Sequence, residues 1–583
     1  MTTLAGPPLA SVEGIGATTL GGFLAEVVTR YGDNEALVFD DPLKGDDTQR
    51  WSYTELYRQA RQVARALGCM ALGKGARVGI LMGNRPEAVA AIFGASLAGC
   101  VAVPISTFSA PPELEYILGH ADISVLLTQT LMGKLNLASA VAGLGPPQLP
   151  YLARVIAVGL GPPFGPSGEM EPLSPQGFGA GGRTILGWDE FLASGEGMAD
   201  EQLDAMAAGV HHSDPALIIY SSGTTDRPKG ILHHHRAPTL SFWLQAGLFG
   251  RDQHTRMWTA LPLFWTAGFN TAMGATLAAG GCWVMQEFFE PGQALRLMTR
   301  ERVTEPYTLP HQTTALEEHP DWPDADLSSL RCVFGKSGLA RHPSVSGDTS
   351  WNMPVGYGLS ETCAFFAAHP CHTARSLMRQ STGRLLPGNE LRTLDPTSGL
   401  VLGPDQEGEF VIRGPSLMEH YVKAGRPDCF DADGFFHTGD IGHYDAEGYV
   451  HWSGRRSEMI KTGGANVSPA ELEVQLRACS PVKLARVVGI PDPRLDQIVV
   501  AAVVVKDGFG ATEDEIKSFL RSRVASYKVP KRVLFFADGQ IPMTSSDTKV
   551  RDAQLVALVQ DRLDHPADPT VPSLSSGVAD GRS

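Results

Sequence analysis

The chain has 583 residues, too many for one ordinary core; at roughly 150 residues per domain it divides into about four units or two large lobes. Apolar residues make up 43% and charged residues 19%, which excludes a wholly disordered, collagen-like or coiled-coil protein. With 48 basic against 63 acidic side chains the net charge is −15, a poor balance for non-specific nucleic-acid binding but compatible with an anionic substrate, because local fields outweigh the total.

The N-terminal segment lacks a basic stretch followed by an apolar core, so no signal peptide is expected. From Trp51 to about Gln129 helical and strand patterns alternate: a helix over Tyr53 to Leu67, a strand over Val78 to Met82, a helix over Arg85 to Ala98, and a strand over Ser124 to Leu127. The longest uncharged run, Ala88 to Ile105, is read as a buried helix followed by a strand ending at Pro104 rather than as a membrane span. Residues 143 to 182 are rich in Gly and Pro and are read as a long loop or insertion. A second alternating stretch runs from Pro215 to about Ala340, and together these imply an α/β fold with largely parallel sheets. From Gly383 to Trp452 the chain is β-rich, with turn pairs Asp433-Gly434 and Glu447-Gly448. A small α/β pattern follows: a helix opening at Val467 to Leu476, strands over Arg486 to Ile490 and Ile498 to Val505, and a helix over Glu513 to Val524. From about Asp564 the composition is that of a frayed tail. The eight cysteines are scattered without a CxxC pair, the pattern of reduced thiols in a cytoplasmic protein. The runs His211-His212 and His233-His234-His235 have no acidic or cysteine partner at ligand spacing and are assigned structural or solvent roles.

The strongest local signal is Tyr220-Ser221-Ser222-Gly223-Thr224-Thr225-Asp226-Arg227-Pro228-Lys229-Gly230, which follows the apolar strand Leu217 to Ile219. Glycine lets backbone N–H groups approach an anion, hydroxyls add donors and Lys229 adds charge, yet the spacing is not that of a Walker A loop. The segment resembles the phosphate loop of the adenylate-forming superfamily, which includes acyl-CoA synthetases, aryl-CoA ligases, luciferases and peptide-synthetase adenylation domains. Three further stretches match in order: Tyr357-Gly358-Leu359-Ser360-Glu361-Thr362, His437-Thr438-Gly439-Asp440, and the segment from Gly454-Arg455 through Lys461-Thr462-Gly463-Gly464 to Glu473.

The resemblance implies attack of a carboxylate on the α-phosphorus of ATP, then displacement of AMP by a thiol. Two anions must meet, so cations and oriented donors have to offset their repulsion. By the resemblance Ser221, Ser222, Gly223, Thr224, Thr225 and Lys229 hold phosphates. Glu361, with Thr225, associates with Mg²⁺, which favours oxygen ligands. Gly358, Ser360 and Thr362 complete the nucleotide motif, and Tyr357 stacks on adenine or sits in the core. Asp440 accepts both ribose hydroxyls, and Arg455 contacts ribose or phosphate. Lys549 stands as the adenylation lysine, in a segment that lacks the usual glycine and is one residue longer. Ser457 occupies the pivot about which the small domain turns, and Lys461, Gly463 and Gly464 then face the path of coenzyme A. Asp226 replaces a common glycine, and Trp265 replaces a common histidine, where it either walls or gates the acyl site or packs in the core.

By analogy the acid lies near Trp265, Phe269, Asn270, Ser337, Gly338, Gly356 and Cys363, which suggests a hydrophobic fatty or aromatic monocarboxylic acid. The expected architecture is α/β: a large N-terminal lobe over residues 1–456 with parallel-sheet and β-rich parts, a small α+β C-terminal domain over 457–563 that rotates, and a tail over 564–583. The expected enzyme is an AMP-forming acyl-CoA synthetase using ATP, Mg²⁺ and coenzyme A, with no nucleic-acid partner and no stable membrane insertion, and compatible with a homodimer. Two alternatives stay open: an acyl-adenylate donor to a separate carrier protein, and an inactive nucleotide- or acyl-binding protein.

Overall fold

The computed structural model describes residues 3–109, 111–142, 144, 149–159, 184–221, 228–333, 337–346, 352–455, 460–462, 465–467, 469–493, 495–524, 528–542 and 552–565. Two α/β sheets form the body of the large N-terminal domain. The first has eight strands in the order Thr184–Gly187, Arg154–Val158, Ile123–Gln129, Arg77–Leu81, Val101–Pro104, Pro215–Ser221, Lys229–His234 and His420–Tyr421. Its first six strands are parallel and its last two are antiparallel additions. The second runs Glu305–Pro306, Arg256–Thr259, Cys282–Met285, Glu35–Asp41, Asp47–Ser52, with only the last strand antiparallel.

One hydrophobic core joins facing sides of both sheets to the helices Leu20–Tyr31, Tyr53–Cys69, Pro86–Leu97 and Arg236–Phe249. A helix so enclosed must be largely apolar on every side, and Pro86–Leu97 is buried at all twelve positions, its one charged side chain, Glu87, paired with Arg85 at 2.9 Å. Gly94 sets its distance from Tyr53–Cys69: a Cβ there would lie 2.6 Å from Val63 and 2.8 Å from the Ala60 carbonyl. No helix among the described residues is long and apolar enough to cross a membrane.

The β-rich part is an antiparallel sheet of Leu4–Ala5, Glu390–Leu394, Gly408–Arg413, Phe436–Tyr444 and Val450–Arg455. The smaller C-terminal domain packs helices on both faces of a sheet. Along Asp496–Val505, Val499, Ala501 and Val503 meet Pro469–Arg477 and Glu513–Arg521, while Val500, Ala502 and Val504 meet Asp552–Asp564. Glu473, the last residue of the third matched motif, is structural: buried, with its pKa raised by that burial, it accepts from Arg486 at 2.9 Å and from the Val487 amide at 3.1 Å.

Three sequence expectations shift. The segment read as one loop over 143–182 contains the strand Arg154–Val158, whose apolar run pairs with Ile123–Gln129; residues 160–183 lie outside the described structure. The helix expected from Val467 begins at Pro469, because Ala465–Val467 is a strand paired with Ile460–Thr462 and proline suits a helix's first position. The helix from Glu513 stops at Arg521, not Val524. The tail over 566–583 also lies outside the described residues.

Candidate active site

Ser221 ends one strand and pairs in register with Lys229 at the start of the next, so the glycine- and hydroxyl-bearing segment connects two strands of the eight-stranded sheet. Ser222, Gly223, Thr224, Thr225 and Asp226 lie outside the described residues. Lys229 Nζ sits 5.1 Å from the centre of the Tyr421 ring. The Tyr421 hydroxyl donates to Glu361 Oε1 at 2.8 Å, and the Met418 amide donates to the Glu361 carbonyl at 2.7 Å. Tyr421 is carried by the strand His420–Tyr421, which pairs with Lys229–His234 through Ile231. A cation over the ring and a carboxylate at the hydroxyl of one tyrosine are thus set near the connection. Among the described residues Lys229 has no carboxylate partner and Glu361 Oε2 has no hydrogen-bond partner. A free ammonium and a free carboxylate oxygen fit a phosphate chain carrying a hard divalent cation.

Glu361 lies in a one-turn helix, Ser360–Thr362, after the strand Val355–Tyr357. The chain folds tightly there: a Cβ at Gly358 would be 1.5 Å from the Ala364 carbonyl oxygen, and one at Gly356 would be 2.4 Å from that of Ala367. The Leu359 amide donates to the Thr362 hydroxyl at 2.9 Å. Cys363 and Ala364 take left-handed conformations, φ 55° and 84°, that non-glycine residues hold only when their surroundings impose them. His233 supplies part of that constraint. Its Nε2 lies 3.0 Å from the Ser360 carbonyl and must donate, which leaves Nδ1 as the acceptor 3.4 Å from the Cys363 thiol. Burial lowers the His233 pKa to about 4 and raises that of the Cys363 thiol, so the histidine is neutral and the thiol is not a nucleophile. His235 accepts from the Leu20 amide at 3.2 Å; this part of the histidine run is structural.

Asp440 is 1% exposed and stands opposite Arg455 in the antiparallel sheet. Its amide donates to Thr438 Oγ1 at 3.0 Å, and its Oδ2 accepts from the Tyr357 hydroxyl at 2.7 Å. The Tyr357 ring is buried edge-on against Phe410, 5.4 Å between centres. Tyr357 is therefore tied to the aspartate that the sequence assigns to ribose. The side chains of Arg455 and Lys461 lie outside the described residues, as do Ser457, Gly463, Gly464 and Lys549 altogether.

The region assigned to the acid is built differently from a plain greasy slot. Half-buried Trp265 meets Phe264 at 5.9 Å and Phe108 at 6.4 Å, both edge-on. A π-helix follows over Ala267–Gly274, a form often found at functional sites. Phe269 is wholly buried against Phe242, ring centres 5.5 Å apart. Asn270 is wholly buried with neither Oδ1 nor Nδ2 partnered among the described residues, and the Ser337 hydroxyl is likewise buried and unpartnered. A Cβ at Gly338 would fall 2.0 Å from the Glu317 carboxylate, so this glycine is filled by a neighbour. The structure thus gathers Ser221, Lys229 and Glu361, and separately Tyr357 and Asp440. Sequence reasoning missed Tyr421, and it gave His233 a structural or solvent role without its partners. No local motif marks them, since both act through partners more than fifty residues away.

Comparison with known proteins places the chain in a family. Residues 24–422 match the AMP-binding enzyme family, and residues 471–548 match the AMP-binding enzyme C-terminal domain. The chain is 31% identical over 504 residues to a feruloyl-CoA synthase of an Amycolatopsis species, covering 85% of this chain and 91% of that protein. It is 31% identical over 531 residues to the 3-[(3aS,4S,7aS)-7a-methyl-1,5-dioxo-octahydro-1H-inden-4-yl]propanoyl:CoA ligase of Mycobacterium tuberculosis, covering 89% and 95%. In fold it matches the anthranilate CoA ligase AuaEII in complex with anthranoyl-AMP, with a TM-score of 0.76 and 24% identity over 94% of this chain and 98% of that one. The chain belongs to the AMP-binding enzymes of the adenylate-forming superfamily and is an acyl-CoA synthetase-like, AMP-forming acid–CoA ligase.

Proposed function

We propose that the protein activates a largely apolar, ring-bearing carboxylic acid with at least one hydrogen-bonding group in its tail, and passes the acyl group to coenzyme A. The observation that carries the chemistry is that Lys229 and Glu361 both contact Tyr421, beside the end of the strand Pro215–Ser221. An oxygen of the acid attacks the α-phosphorus of ATP, the bond to the bridging oxygen breaks, and pyrophosphate leaves. The coenzyme A thiol then attacks the acyl carbon and AMP departs. In this reading Ser221, Ser222, Gly223, Thr224, Thr225 and Lys229 hold the phosphates, Asp440 and Arg455 the ribose, and Lys549 the α-phosphate and carboxylate. Glu361 and Thr225 hold Mg²⁺, which neutralises charge on the phosphates. Lys461, Gly463 and Gly464 flank the thiol's approach. The domains divide between residues 456 and 457, with the tail from 564.

Two observations support the acid class. The buried amide of Asn270 has no partner among the described residues, and a ligand group that both donates and accepts would satisfy it. The relatives named above act on feruloyl and indenyl-propanoyl groups. A purely hydrophobic fatty acid would leave Asn270 unsatisfied. We place the enzyme in the cytoplasm, in keeping with eight free cysteines. The test is product mass spectrometry with ATP, Mg²⁺ and a panel of phenolic, keto-polycyclic and fatty acids, with and without coenzyme A. The expected product is a CoA thioester of a ring-bearing acid with a polar substituent, absent with Lys549→Ala. A preference for unsubstituted fatty acids would overturn the acid class. An adenylate that persists despite coenzyme A would point to a carrier-protein acceptor instead.

A further inference from the structure

The helix Arg236–Phe249 carries Ser241 and Gln245 one turn apart on the same face. The Ser241 hydroxyl donates to the Cys363 carbonyl at 2.7 Å. Gln245 Nε2 reaches Ser241 Oγ at 2.5 Å and the Cys363 carbonyl at 3.3 Å. On its other side Gln245 Oε1 accepts from the Thr271 hydroxyl at 2.6 Å. These partners fix the amide's orientation, because the nitrogen faces acceptors and the oxygen faces a hydroxyl donor. Ser241 is 5% exposed, Gln245 and Thr271 1%. A buried chain of satisfied hydrogen bonds is stiff, since any member that moves leaves another unpaired in a low dielectric.

Both ends of the chain fall on functional elements. Thr271 sits inside the π-helix and follows Asn270. Its carbonyl is held by the Arg251 guanidinium, which is paired with Glu305 in a buried ion pair. Cys363 is the first of the two left-handed residues that close the Glu361 turn. Ser241 and Gln245 grip that turn at the carbonyl of Cys363, and His233 grips it at Ser360 and the Cys363 thiol.

We infer that Ser241, Gln245 and Thr271 are positioning residues that tie the acid-side π-helix to the Glu361 turn, so that the π-helix sets where the Glu361 carboxylate stands. This rests on the reading of Glu361 as the carboxylate that meets phosphate-bound Mg²⁺. None of the three touches ATP in that reading; they act through the backbone of Cys363.

The test is calorimetric binding of ATP, with and without Mg²⁺, to the full chain and to Thr271→Val, Thr271→Ser, Ser241→Ala and the double variant Thr271→Val/Ser241→Ala. Thr271→Val deletes the hydroxyl at nearly constant volume. It is expected to weaken Mg²⁺-dependent ATP binding about tenfold while leaving Mg²⁺-free binding unchanged. Thr271→Ser restores it. The double variant is expected to lose no more than the worse single variant, because a broken chain cannot be broken again. An unchanged Mg²⁺ dependence in the single variants, equal losses with and without Mg²⁺, or additive losses in the double would each overturn the inference. If Thr271→Val does not fold, Ser241→Ala against wild type decides by the same contrast of Mg²⁺-dependent with Mg²⁺-free binding. Wild-type ATP binding indifferent to Mg²⁺ would instead sink the reading of Glu361, and with it the inference.

Discussion

Replacing Tyr357 by Phe removes the hydroxyl that donates to Oδ2 of the nearly wholly buried Asp440 carboxylate. Losing a hydrogen bond to a charged group costs about 1.5 kcal/mol, close to a tenfold change in affinity. The expected outcome is a rise of about tenfold in KM for ATP with kcat within about twofold, read from ATP–pyrophosphate exchange; an unaltered KM would separate Tyr357 from the nucleotide site. His233 carries a second expectation. Burial holds its folded pKa near 4, whereas an unfolded histidine titrates near 6.5. Below pH 6.5 the unfolded state therefore binds the extra proton. Stability is complete above that value and is lost as pH falls toward 4, by about 3 kcal/mol for this group. Melting temperature measured from pH 7.5 to pH 4 should fall, and fall less steeply in His233→Gln; parallel curves would mean His233 is protonated at no cost. Neither pairing was legible in the sequence. The motif around Glu361 is local and reads directly, whereas the partners that hold it come from residues 233, 241, 245 and 421, whose types carry no signal until the sheet brings them together.

Among the elements, legibility followed periodicity and punctuation. The strand Val101–Pro104 could be read because an apolar run stops at proline, and Pro86–Leu97 because it carries no charge from Ala88 onward, which suits a helix enclosed on all sides. Arg154–Val158 was hidden by the Gly/Pro-rich residues around it. Ala465–Val467 was not foreseen, and its last residue was read as the start of the neighbouring helix, because three residues carry no period of their own. The π-helix over Ala267–Gly274 could not be foreseen: its composition is that of any buried helix, and what widens it is tertiary. Gly274 lets it press on Phe242, where a Cβ would lie 1.9 Å from the ring, and Arg251 takes the Thr271 carbonyl. The buried, unpartnered Asn270 depends on that geometry, which is why the polar group proposed above for the acid had no counterpart in the sequence reading.

At the scale of the molecule, the alternation of helices and strands implied only a large α/β protein; the two-domain arrangement came from the order of four motifs. The two halves meet the chemistry unequally. Lys229 and Glu361 fall within the AMP-binding match over 24–422, whereas Lys461 and Lys549 flank the C-terminal match over 471–548. In the proposed reading the two lysines serve different half-reactions, and the small domain turns after Arg455 between them. Ser457, outside the described residues, is the proposed pivot. Proline fixes φ near −65° and forbids part of any backbone rotation there. Ser457→Pro is therefore expected to hold the small domain in one orientation. One half-reaction should stay within about threefold of wild type while the other falls by about a hundredfold, near 2.7 kcal/mol in barrier. ATP–pyrophosphate exchange reads the first step, and thioester formation from separately prepared acyl-adenylate and coenzyme A reads the second. Equal losses in both steps, or in neither, would take the pivot away from Ser457, because a hinge fixed in place must favour one step over the other.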